Sequence, residues 1–264
     1  MSVLDVERDG GLVTLTLNRP EKKNAIDRDI WAGLDQALTD IAANPDDRAV
    51  MLTGAGGNFS SGADLSGASG GTGGDAAPPP LPIITEMRSM GDIMLRLHRL
   101  PIPTLAKVDG VAVGVGLGLA LGCDLVVASS RARLIEIFPR RGLALDGGNS
   151  WLLPRLVGLQ KAKELAFFGE SLSAAEAERI GLVSKVVEPD ELDEVAGAWA
   201  RRLAEGPTVA LALSKRLLNN SYAVSMDQAL EDEGRSQHVS YTTQDLVEAF
   251  KAYFEKRDPV FRGR

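Results

Sequence analysis

Apolar positions recur along this chain with two periods. Strand-like runs over Val3 to Glu7 and Leu12 to Leu17, joined by Gly10-Gly11, predict a β-hairpin with a tight turn. Ile30, Leu34, Leu38 and Ile41 then fall on one helical face behind Asp27, a residue type that caps a first turn, and Ala49 to Thr53 reads as a buried strand. Helical spacing returns from Ile83 to Leu100, and Pro103 to Val108 and Leu125 to Ala128 are further strands. Strands separated by helices or glycine-rich turns predict an α/β fold. After about Val187 the strand signal stops. Pro189 to Leu203, Pro207 to Leu218, Ser225 to Gln237 and Thr243 to Phe254 all carry helical patterns, and Ser225 with Gln228 and Ser173 with Glu176 are spaced as capping boxes. The expected organisation is a core over residues 1–188 and a helical assembly region over 189–264, whose helices need an apolar surface to cover.

The segment from Ser66 to Pro82 interrupts both periods. Its glycines raise chain entropy and its prolines block helix and ladder hydrogen bonds, so it reads as a mobile flap or as a plain linker. Composition narrows the class of partner. With 44% apolar and 25% charged residues in 264, the chain is that of a folded protein rather than a disordered or disulfide-stapled one. A net charge of −7 argues against a nonspecific grip on nucleic acid or anionic membrane and favours a small-molecule ligand. The lone Cys123 has no partner for an intrachain disulfide, and the start MSVLDVERDG lacks a signal-peptide pattern, so a cytoplasmic setting is expected. The longest apolar stretch, Val111 to Leu121, is broken by three glycines and is too short to span a bilayer.

Two glycine-rich segments, Gly54 to Leu65 and Asp109 to Ala120, each follow a strand. Glycine lets a backbone approach a ligand, and a helix that follows presents free N–H groups and its positive end. Close helix–sheet packing would use the same glycines, and neither segment carries a P-loop lysine or a complete dinucleotide fingerprint.

The segments NRPEKKNAID, SSGADL, DGVAVGVGLGLALGCDLVVAS, GLALDGGNSWLLPRLVG and LSAAEAERIGLVSKVV, in this order and with a terminal FEKRDPVF, resemble the enoyl-CoA hydratase/isomerase, or crotonase, superfamily over nearly the whole chain. The resemblance implies a spiral of ββα units with a helical trimerisation region, assembly as a homotrimer or hexamer, and an acyl-CoA thioester as substrate. Coenzyme A would arrive with the substrate, with no separate cofactor and no metal. It also implies roles. The N–H groups of Ala63 and Val115 would form an oxyanion hole. Ser61, Gly62, Ala63, Asp64, Leu65 and Ser66 would hold the adenine and pantetheine parts of CoA. Lys23 and Lys256 are candidate phosphate contacts, with a solvated loop lysine as the plainer reading of Lys23.

The resemblance also exposes departures. The two glutamates of a hydratase of this family fall on Gly118 and Phe138, so both carboxylates are missing. Glu136 stands two residues from the second position, displaced by several Å if the segment is a strand, and is not expected to be catalytic. Asp146 remains. An aspartate ahead of paired glycines and a helix is commonly an N-cap, but branches of the family that move double bonds place an aspartate here. The resemblance is strongest to the 1,2-epoxyphenylacetyl-CoA isomerase branch, although Leu145 replaces a proline and Asn149 a glycine. A single carboxylate fits isomerisation, with Asp146 moving a proton while the oxyanion hole holds an enolate. A hydratase with a relocated acid and a non-catalytic acyl-CoA binder are the alternatives. His98, His238 and Cys123 are expected to be structural.

Overall fold

The computed structural model describes residues 2–66 and 83–264, so almost all of the Ser66–Pro82 segment lies outside the described residues. β1 (Leu4–Asp9) and β2 (Leu12–Leu17) pair antiparallel with Leu4 opposite Leu17, across a turn in which Gly10 and Gly11 both have positive φ. Side chains disfavour that conformation, which is why a glycine pair fits a two-residue hairpin. α1 (Arg28–Ala43) begins where the Asp27 carboxylate accepts the Ile30 N–H at 2.9 Å, and its Ile30, Leu34, Leu38 and Ile41 are buried as the spacing predicts.

β3 (Ala49–Gly54), β4 (Thr104–Val108), β6 (Leu125–Ser129) and β9 (Lys185–Val187) continue the sheet as parallel neighbours in the order β1-β2-β3-β4-β6-β9. β5 (Val111–Val113), β7 (Arg133–Ile135) and β8 (Ser171–Ser173) form a second, three-stranded sheet in that order. Strands alternating with helices confirm the α/β class. α2 (Ile83–His98) and the wholly buried α3 (Val115–Leu121) pack into the main core, where Leu97, Leu117 and Leu119 join Leu15, Leu34 and Leu52. α4 (Asn149–Val157) packs on α3 and on α5 (Leu159–Phe168), and α6 (Ala174–Arg179) flanks the second sheet.

α7 (Leu192–Ala204), counted with the C-terminal helices in the sequence, instead covers the opposite face of the main sheet. Its Leu192 and Ala196 pack with Leu105, Val127 and Val187, and its Ala200 and Ala204 with Leu12 and Ala49. Helical appendage character begins with α8 (Thr208–Asn220), which buries no residue fully, and extends through α9 (Met226–Ser240) and α10 (Gln244–Glu255). Arg48 ties this region down, donating to the Gly206 and Phe261 carbonyls at 2.6 and 3.1 Å. Lys215 adds an ion pair with Asp124 at 2.8 Å. Among the described residues no helix is long and apolar enough to cross a membrane.

Candidate active site

The segment before Ala63 runs beside β5 and is stitched to it. Phe59 and Ser60 donate N–H bonds to the Asp109 and Val111 carbonyls at 2.8 and 2.9 Å, and Val113 returns one to Ser60 at 3.0 Å. Gly62 has φ +90°, and a Cβ there would sit 2.7 Å from the Val113 oxygen, so only glycine permits this approach. On either side of Ala63, Ile26 donates to Gly62 and Asp64 donates to Ile26, both at 2.8 Å. Val115 is the first residue of α3, where a helix leaves its N–H groups without intrahelical partners. Among the described residues neither the Ala63 nor the Val115 N–H has a protein acceptor. The two segments lock together, since a Cβ on Gly116 would lie 2.7 Å from Ser60.

The neighbouring polar residues hold this geometry. Ser66, through its hydroxyl and N–H, then Arg19 and Lys22, keep the Asp64 carboxyl well below the usual range. Asp64 is therefore a charged strut. Arg19 bridges it, at 2.9 Å, to Asp27 at 2.9 Å and to the Ala25 carbonyl at 2.6 Å. Ser61 donates its N–H to the Lys23 carbonyl at 2.8 Å, which brings the exposed Lys23 alongside residues 61–66. It is Lys22 that reaches Asp64 and Ser66, at 3.1 and 3.2 Å. Leu65 is exposed. Lys256 lies at the C-cap of α10 in the left-handed conformation, exposed, and no hydrogen bond among the described residues links it to the 61–66 segment.

The acids are arranged differently from the sequence expectation. Gly118 has no room for a side chain, because a Cβ there would stand 2.5 Å from the Gly147 carbonyl oxygen. The Asp146–Gly148 loop thus occupies the space in front of α3. Gly147 packs on Val115 so closely that its own Cβ would meet the Val115 Cγ2 at 2.9 Å. Asn149, fully buried, fixes the loop by donating to the Gly114 carbonyl at 3.2 Å. Asp146 does not cap α4, whose N-cap is Gly148 with no side-chain bond. Its Oδ1 is buried without a partner among the described residues, and burial pushes the Asp146 carboxyl above the usual range.

Glu136 faces the same side as Phe138, two residues on. From Ala132 to Phe138 alternate residues are buried, so Glu136 takes an inward position between Leu134 and Phe138. It is 2% exposed, and neither carboxyl oxygen has a partner among the described residues. Burial, and then the Asp146 charge, raise its pKa to about 8. Two carboxyls therefore share this apolar region where the sequence pointed to one. The signal was the period-two row itself, an acid where its neighbours two residues away are apolar and core-facing.

Cys123 and His98 sit in packed surroundings. Burial and the Asp124 charge push the Cys123 thiol up to about 12, so it is no nucleophile at neutral pH. His98 packs edge-on against Trp151 at 5.1 Å, and burial lowers its pKa. A cavity of about 900 Å³ between α2, α4 and α8 meets the Asp146 loop at Gly148 and carries Arg99, Arg155 and Lys215 in its lining.

Comparison with known proteins sets the class first. The enoyl-CoA hydratase from Bacillus anthracis superposes with a TM-score of 0.92 at 30% identity, over 99% of this chain and 100% of that one, which makes the fold that of the crotonase structures. The family follows: a model described as enoyl-CoA hydratase/isomerase matches residues 7–264, and the chain belongs to that family. The 1,2-epoxyphenylacetyl-CoA isomerase of Escherichia coli strain K12 is 37% identical over 254 residues, 96% of each chain. The short-chain-enoyl-CoA hydratase of Clostridium acetobutylicum is 35% identical over 265 residues, 96% of this chain and 94% of that one.

Proposed function

We propose that this protein is an acyl-CoA isomerase, which moves a double bond or rearranges an acyl chain through an enolate. In this reading the Ala63 and Val115 N–H groups receive the thioester oxygen. Fixed amide dipoles of this kind supply roughly 2.7–4 kcal/mol per donor as charge develops on the oxygen. Asp146 takes a proton from a carbon made acidic by the thioester and, once that proton has exchanged with solvent, delivers one to another carbon along the conjugated system. Residues 61–66, with Lys23 and Lys256 as candidate phosphate contacts, would hold the CoA portion.

The observation that carries the reading is the state of Asp146. Its carboxyl is partly buried, without a partner at Oδ1 and uncapped, on a loop packed against Val115, while the two hydratase glutamate positions hold Gly118 and Phe138. A base freed from structural duty and made more basic by burial suits carbon acids. Hydration with a relocated acid is a second reading, favoured by the entry of Glu136 into the same region. Incubating a panel of enoyl-CoA esters in deuterated water separates the two. Isomerisation gives deuterium at the α- or γ-carbon without added water; hydration gives a product heavier by one water; neither in any ester overturns both readings and leaves a binding protein.

A further inference from the structure

Glu136 is not used by the mechanism above, yet its position is costly. A carboxyl group buried without hydrogen-bond partners is tolerated when it stays neutral or when something in the site uses it. Glu136 and Asp146 come from different segments that converge on adjacent residues, Gly114 and Val115. On one side, a Cβ on Gly114 would lie 3.2 Å from Ile137, the residue after Glu136; on the other, Gly147, the residue after Asp146, packs on Val115. The chain between them is drawn into a tight return by the Leu143 N–H bond to the Phe138 carbonyl at 3.0 Å.

Few other charges bear on the pair. Arg133, Arg140 and Arg141, on the same segment as Glu136, are exposed. Of the elements packed against it, β5 and β8 carry no charged residue. On α6, Glu176 pairs with Arg179 at 2.7 Å and Glu178 accepts the Val186 N–H at 2.8 Å; on α5, Lys161 pairs with Glu164 at 2.8 Å and Lys163 is exposed. No cation among these neutralises either carboxyl. Two carboxyls in one apolar environment do not both ionise at neutral pH, and their protons leave in two steps that belong to the pair.

We propose that Glu136 is the positioning residue of Asp146: it keeps its proton at neutral pH, so that the buried pair carries one negative charge and that charge resides on Asp146. The inference rests on the isomerase reading for its catalytic consequence. Asp146 accepts a proton from carbon, the C–H electron pair passes into the enolate, and Asp146, its proton exchanged with solvent, delivers a proton to form the new C–H bond elsewhere. Glu136 retains its own proton throughout. When Glu136 ionises, a second negative charge faces the developing enolate and opposes it, so activity has an alkaline limit near the Glu136 pKa of about 8.

The test combines infrared difference spectroscopy of the free protein with a pH profile of deuterium exchange. At pH 7 the wild type should show a carboxylic-acid carbonyl band that is absent from Glu136→Gln, that titrates near pH 8, and that titrates at lower pH in Asp146→Asn. Exchange should fall above pH 8 in the wild type, whereas Glu136→Gln, neutral at every pH, should lose that fall while its rate at neutral pH drops severalfold. A band titrating in the ordinary carboxylate range, or one unmoved by Asp146→Asn, overturns the proposal. So does an unchanged alkaline limb in Glu136→Gln. A loss of roughly 10²–10⁴-fold at every pH in that variant would make Glu136 a proton donor in its own right and overturn the positioning role. If the infrared titration behaves as stated and no ester exchanges in the wild type, the pair stands and the isomerase reading falls.

Discussion

Asp146 and Glu136 differ in how far their chemistry could be read from the chain. Asp146 stood out because a resemblance placed an aspartate there, and the structure removed the alternative by giving α4 a glycine N-cap. In the sequence Glu136 is set aside for its distance from the hydratase position, although its place in a period-two row of buried residues is the signal of its burial. Its burial has a consequence for stability. Glu136 holds its proton more tightly in the folded state, with its pKa raised from 4.5 to about 8, than in the unfolded chain. Between these values the native state binds more protons, so stability falls as pH rises through that window. The raised Asp146 pKa acts in the same direction. Urea unfolding at pH 5 and pH 8 should therefore show the wild type losing a few kcal/mol more than Glu136→Gln across the interval. Equal losses in the two proteins would mean that Glu136 ionises as freely in the fold as outside it.

At the scale of elements, periodic segments were legible and fully buried or very short ones were not. α1, α9 and α10 start within a residue or two of the sequence expectation because Asp27, Ser225 and Thr243 each accept the N–H three residues on. β5, β7 and β8 are three residues each, too short for alternation to register, and β7 ends one residue before Glu136. The contact between α3 and the Asp146 loop is of the same kind, since nothing in a run of glycines says what they face. Gly118→Ala probes it. Its Cβ would stand 2.5 Å from a backbone oxygen, which has no flexible end to yield. We expect a loss of about 1–3 kcal/mol in thermal or urea stability, as for other overpacked cores, with a fall in exchange as the Asp146 loop shifts. Unchanged stability and exchange would show that the loop is not held against α3.

At the scale of the molecule, the helical region presents more apolar surface than a monomer needs. Leu218 on α8, Met226 on α9 and Phe250, Tyr253 and Phe254 on α10 are exposed, with Phe254 at 78%. Apolar residues in such number mark a surface that another chain covers. We expect a trimer or hexamer by sedimentation at micromolar concentration, and a monomer there would contradict it. The sequence conveyed the helices and their number in this region but not that α7 belongs to the core, because a helix facing a sheet and one facing a partner chain carry the same spacing. The measurement that bears most directly on the proposed chemistry is deuterium exchange by Asp146→Asn. The amide keeps the shape of the side chain but takes no proton at neutral pH, so fold and CoA-ester affinity should persist. Exchange should drop by about 10²–10⁴-fold, with a residue left by the oxyanion hole. Wild-type exchange in a well-folded Asp146→Asn protein would contradict the assignment of Asp146 as the group that moves the proton.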